Sequence, residues 1–146
     1  MNSQKLPRGI RNNNPGNLRL SKIRWQGQKP LQFDPDFVEF ESPEMGVRAL
    51  MKTLLTYYRK YGLDTVQAIV NRWAPPHENA TDYYAAHVAK ILEVKRGDPL
   101  NVHSKNTMMK LAKAITVHEN GWARRPCPRF WYEDGVYEEA YRLAIK

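Results

Sequence analysis

Cysteine is nearly missing from this sequence: Cys127 stands alone, which excludes an internal disulfide and a cysteine-based zinc cluster. No apolar run is long enough to span a bilayer. The opening stretch MNSQKLPRGIRNNN lacks the hydrophobic centre of a secretory signal, so no signal-dependent export is expected. No repeat, low-complexity tract or linker divides the chain. Acidic residues are the minority, 15 against 23 Lys and Arg, leaving a net charge of +8.

What is present fits one soluble globular unit. The chain has 146 residues, 42% of them hydrophobic, enough to bury a core without covalent staples. The excess positive charge draws the surface toward polyanions: nucleic acid, anionic lipid, or the acidic polymers of a bacterial envelope. Because the basic residues are dispersed, an ordinary solvated basic surface is the competing reading.

The pattern changes along the chain. Residues 8–45 are rich in Asn, Pro, Gly and aromatics and predict an irregular lobe with short extended pieces, NLRLSKIRW and DFVEFE. Residues 46–146 predict a helical lobe. Val47, Leu50, Met51, Leu54, Leu55 and Tyr58 recur at helical spacing up to a stop at Gly62. A second helix is expected from Asp64, carrying Val66, Ile69, Val70 and Trp73, and two prolines end it. Thr81 is the expected N-cap of a third helix with Tyr84, Val88, Ile91 and Leu92 inward. Met108, Leu111, Ala112 and Ile115 mark a fourth, ending near Gly121, and Val136, Tyr137, Ala140, Tyr141 and Ala144 a last one. The expected fold class is mainly α, or α+β, as a single domain over 1–146.

One acid sits out of pattern. Four residues beyond Ile115, the apolar stripe of the fourth helix reaches Glu119. Partial burial and the negative end of the helix dipole both disfavour a carboxylate there. A carboxyl that keeps its proton near neutral pH is what a general acid needs to protonate a leaving oxygen. The alternative is a Glu119 in water beyond the helix, paired with Arg124 or Arg125.

Two other stretches invite chemistry. In RGIRNNNPGNLR, Asn12, Asn13 and Asn14 either close their own backbone as Asx-turns or present amides to a polar ligand. In WAPPHENATDYY, Asn79, Thr81, Tyr83 and Tyr84 are either loop, cap and packing residues or a polar and aromatic wall suited to sugar rings. His77, His87, His103 and His118 show no paired-ligand spacing, so neither metal nor cofactor is expected. On a helix His118 points roughly 100° from Glu119 and is not expected to assist it.

RGIRNNNPGNLR, RWQG, FVEFESPEMGVRAL, RWAPPHENATDYY and AITVHENG together resemble a family of bacteriophage and prophage proteins, over residues 8 to about 121. The Asn-rich turn, Trp-x-Gly, paired phenylalanines and the Thr-Asp…Tyr-Ala segment are also similar to flagellar and autolysin-type peptidoglycan glucosaminidases. HENG is similar to the helix-ending catalytic Glu of those enzymes and of lytic transglycosylases. In those enzymes that helix precedes the Asn-rich turn, whereas here it follows. Residues 1–7 hold no carboxylate to replace it. The resemblance therefore implies a lysozyme-like domain, circularly permuted.

It also implies a function: a peptidoglycan-degrading glycosidase of phage origin, either an endolysin or a virion-associated enzyme. Its action would lie in the periplasm or wall, reached from the host cytoplasm or the virion. The expected partners are peptidoglycan and, in a particle, other virion proteins. Glu119 is the expected acid. Glu39 is the first choice for a second carboxylate among Asp34, Asp36, Glu39, Glu41 and Glu44, each of which also reads as part of a solvated acidic loop. Asn13, Asn14, Asn17, Trp25, Asn79, Thr81 and Tyr84 are the expected substrate contacts. The competing class is a non-catalytic virion structural or nucleic-acid-binding protein, supported by the charge but by no DNA-binding motif.

Overall fold

The computed structural model describes residues 6–74 and 80–146. Asn79, one of the expected contacts, lies outside the described residues. Among the described residues the protein is mainly helical, with six helices: α1 (Arg8–Arg11), α2 (Pro43–Tyr61), α3 (Val66–Trp73), α4 (Thr81–Leu92), α5 (Lys105–Asn120) and α6 (Asp134–Ala144).

Local chemistry sets the helix ends. Ser42 caps α2 by accepting from the Met45 amide, and Pro43 occupies the first turn, where its missing N–H costs nothing. This cap starts α2 three residues before the apolar pattern becomes legible. Gly62 closes the helix in the left-handed region, φ 67°. Thr65 caps α3 through the Ala68 amide, so α3 begins at Val66 rather than Asp64. Ser104 caps α5 through the Thr107 amide. Thr81 is not a cap: it is the first residue of α4, and its hydroxyl donates to the Ala74 carbonyl at 2.8 Å.

Helix α5 is the centre of the molecule. It packs against α1, α2, α4 and α6. Met108, Leu111, Ala112, Ala114, Ile115, Thr116 and Val117 are all buried along it, more than one face's worth. Leu50, Met51 and Leu54 of α2, Ile69 of α3, Val88 of α4 and Tyr137 of α6 complete the same core.

The N-terminal lobe holds two isolated antiparallel bridges, Arg19 with Phe37 and Gln28 with Phe40, and no longer strand among the described residues. Its extended character is nonetheless real: Val38 and Phe40 alternate inward onto Ala49 of α2, with Leu18, Leu20, Trp25 and Met45 around them. Side-chain amides do much of the pairing that a ladder would otherwise supply. Asn14, fully buried, donates to the carbonyls of Leu18 and Val38 and accepts from the Leu18 amide. Asn13 donates to the Phe40 carbonyl and Asn12 to Asp34. Gly46 is where this turn rests on α2: a Cβ there would collide with the Asn13 carbonyl oxygen.

Candidate functional site

Glu119 stands one residue before the end of α5, and Gly121 then turns the chain away at φ 80°. Its carboxylate accepts from Asn17 Nδ2 at 3.1 Å on Oε1 and from the Tyr84 hydroxyl at 2.9 Å on Oε2. These donors come from the asparagine turn and from α4, so three parts of the chain meet on one carboxyl. Asn17 reaches it because its backbone is left-handed, φ 51°, a region asparagine tolerates better than most residues.

The neighbouring residue ties the turn to the helix. Asn120 donates from Nδ2 to the Pro15 carbonyl at 2.9 Å, while also holding the Thr116 carbonyl. Gly9 of α1 makes room for the junction: a Cβ there would come within 2.5 Å of Asn120 Oδ1 and 2.8 Å of Asn17 Oδ1.

Glu119 opens onto a cavity of about 490 Å³. Gly16, Asn17, Arg19 and Phe37 line it from the N-terminal lobe, Trp73 and Ala74 from the end of α3, Ala80 from just before α4, Tyr83 and Tyr84 from α4, and His118 from α5. Burial raises the Glu119 pKa above the ordinary carboxylate range, although Asn17, Tyr84 and Trp73 oppose this by stabilising the anion. Burial and the adjacent carboxylate raise Tyr84 well above the usual phenol, so it stays a donor. A half-dry acid beside aromatic rings and amides is a constellation that can deliver a proton to a bound leaving group.

His118 lines the same cavity as Glu119, but its contacts go to Tyr84 and His87. The cavity runs across the end of α5, so successive side chains reach it despite their angular separation. The His118 ring stacks on Tyr84 at 3.6 Å between centroids, and its Nδ1 lies 3.0 Å from Nδ1 of His87. Burial, with His87 adding to it, lowers the His118 pKa to about 4. Burial also lowers that of His87. One neutral imidazole therefore donates to the other at neutral pH.

The remaining expected site residues divide sharply. Asn17 and Tyr84 line the cavity, and both touch Glu119. Asn13 and Asn14 do not line it, because their amides are spent on backbone carbonyls of their own lobe. Trp25 does not line it either; it packs on the small cluster around Val38 and Phe40. Thr81 is buried against Ala74, behind the lining.

Glu39 is likewise elsewhere: Oε2 accepts from the Phe33 and Asp34 amides, closing the loop before the second bridge. Asp34 is gripped by Arg8, which holds its carboxyl far below the ordinary range, and Asp36 also pairs with Arg8. Among the described residues Glu119 is the one carboxylate in the lining. Arg19, Phe37, Trp73 and His118 were missed from sequence.

No protein-family model matches the sequence. Protein P5 of Pseudoalteromonas phage PM2 is 39% identical over 117 residues, which cover 78% of this chain and 71% of the phage protein. The chain belongs to the PM2 protein P5 family. For this member of the P5 family the phage connection expected from the sequence is thus established, and no described helix is long and apolar enough to cross a membrane.

Proposed function

We propose that the chain is a phage-type peptidoglycan-cleaving glycosidase with Glu119 as its general acid. One observation carries this reading: a carboxyl that the sequence pattern places in line with the core is half-buried at an open cavity and gripped from both sides by Asn17 and Tyr84. Such a group has no evident packing use, since an apolar residue would fill the end of α5 without desolvating a charge. Phe37, Trp73 and Tyr83 offer rings for pyranoses, and Arg19 offers a cation for an acidic strand.

With a single carboxylate in the described lining, the chemistry best supported is lytic transglycosylation. Glu119 protonates the glycosidic oxygen, and the 6-hydroxyl of muramic acid, giving its proton back to Glu119, closes an anhydro ring. Hydrolysis by water activated at the same carboxylate is the nearest variant. The central helix ending in its acid supports a lysozyme-like core, and its position after the asparagine turn supports the circular permutation.

A second reading has its own support. A phage relative, a net charge of +8, and exposed Leu31 and Phe33 all fit a non-catalytic virion component that touches other particle proteins or nucleic acid. The comparison taken alone favours this reading; the geometry around Glu119 favours the enzyme. Zymography on purified peptidoglycan separates them. Clearing by the wild-type chain, lost in Glu119→Gln with the circular dichroism spectrum unchanged, is expected; clearing undiminished in that variant removes the assignment.

A further inference from the structure

Beside the Glu119 cavity lies a second hollow of about 470 Å³, lined by His87, Lys90, Trp122, Arg129 and Phe130 among others. The two are joined edge to edge. His118 lines the first and His87 the second, their rings 5.2 Å apart, while exposed Tyr83 stacks over His87 at 6.2 Å. The Trp122 ring stands edge-on to His87 at 6.2 Å, and the Arg129 guanidinium lies 4.6 Å from its centroid. The loop that carries Trp122 and Arg129 is fastened to the end of α5 by the Trp131 indole, which donates to the Gly121 carbonyl at 2.8 Å. Trp122 is 43% exposed and Tyr83 69%, so the edge between the two hollows carries two open aromatic rings.

We propose that this ledge binds the units of an acidic glycan strand next to those in the Glu119 cavity. Trp122 forms the platform for a sugar ring, and Lys90 and Arg129 pair with carboxylates of the strand's peptide stems. The inference rests on the reading of the Glu119 cavity as a glycan cleft. Charge and continuity select the occupant: two cations face the hollow against Glu93, the single acid in its described lining, and the aromatic edge runs on from the cleft without a break. A guanidinium already stacked on an indole is pre-positioned for a carboxylate at the rim of a bound ring.

The test measures binding apart from chemistry. Glu119→Gln protein is titrated onto purified peptidoglycan and onto the same walls with their carboxyls amidated. It is then compared with the same protein carrying Trp122→Ala, or Lys90→Ala with Arg129→Ala. The ledge variants should bind native walls about tenfold more weakly, and the parent should lose about as much on amidated walls. The doubly charged-to-neutral variant, which changes exposed side chains only, guards against misfolding of the tryptophan variant. Equal affinity of parent and ledge variants for native walls, or of the parent for native and amidated walls, overturns the proposal. So does loss of affinity for double-stranded DNA in the ledge variants with wall binding intact. Clearing by the wild type with wall binding unmoved in the ledge variants removes the ledge alone; no clearing, with wall binding that collapses in them, removes the catalytic reading alone.

Discussion

Tyr84→Phe isolates one of the two grips on Glu119. The substitution removes the hydroxyl that donates to Oε2 at 2.9 Å and leaves the buried ring in place. A hydrogen bond to a charged group contributes about 1.5–3 kcal/mol, and the lower end suits a carboxyl that keeps one face on an open cavity. At about 1.4 kcal/mol per pKa unit, losing it should raise the Glu119 pKa by about one unit, because the donor stabilises the anion more than the protonated acid. The direction is the unusual part: a variant at a hydroxyl of the candidate site is expected to hold the acid form to higher pH. A carbon-13 titration of the Glu119 carboxyl in wild type and Tyr84→Phe reads this directly. The alkaline limb of wall clearing should move by the same amount. A Glu119 pKa that stays put or falls would refute the reasoning, since it would mean that the hydroxyl does not stabilise the carboxylate.

Four further outcomes follow from the same structure. Because burial raises the folded-state pKa of Glu119, its charge destabilises the fold as pH rises through that value; Glu119→Gln should melt above wild type at pH 8 and converge with it near pH 4. His118 has the opposite sense: its folded pKa of about 4 lies below the free value of 6.5, so stability is lost as pH falls between the two. After discounting for partial exposure that loss is about 1 kcal/mol, and a His118→Gln variant should show a flatter acid limb in denaturant titrations. Gly46→Ala should cost about 3 kcal/mol or more, visible in the urea midpoint, since its methyl group would lift the Asn13 carbonyl off α2. Phe40→Ala, at a fully buried position under the N-terminal lobe, should cost about 3–5 kcal/mol by the same measurement.

The helical lobe was legible because its apolar residues recur at one period over long stretches. Leu50, Met51, Leu54, Leu111 and Ile115 are all in the core, and Gly62 and Gly121 stand at the helix ends. Helix starts were less legible. Ser42 precedes a proline and a glutamate, so its cap lies outside the hydrophobic pattern that reveals the helix. The asparagine run was ambiguous for a physical reason: the same amide can bond a ligand or a backbone carbonyl, and composition does not choose. Asn13 and Asn14 turned inward because the extended segments around Phe40 leave carbonyls to satisfy, and Asn12 because it meets the Asp34 carboxylate, while Asn17, one turn later, faces the cavity. Glu119 was legible as a charge in the wrong row. Glu39 was misread because alternation gives a face but not what that face meets, which here is a pair of loop amides.

Product analysis tests the central claim most directly. Purified sacculi are digested with the wild-type chain and with Glu119→Gln, and the soluble muropeptides are weighed by mass spectrometry. An acid half-buried at the end of α5, with no second carboxylate in the described lining, predicts fragments ending in anhydromuramic acid from the wild type and none from the variant. No soluble fragments from the wild type, or the same fragments from both, would contradict it.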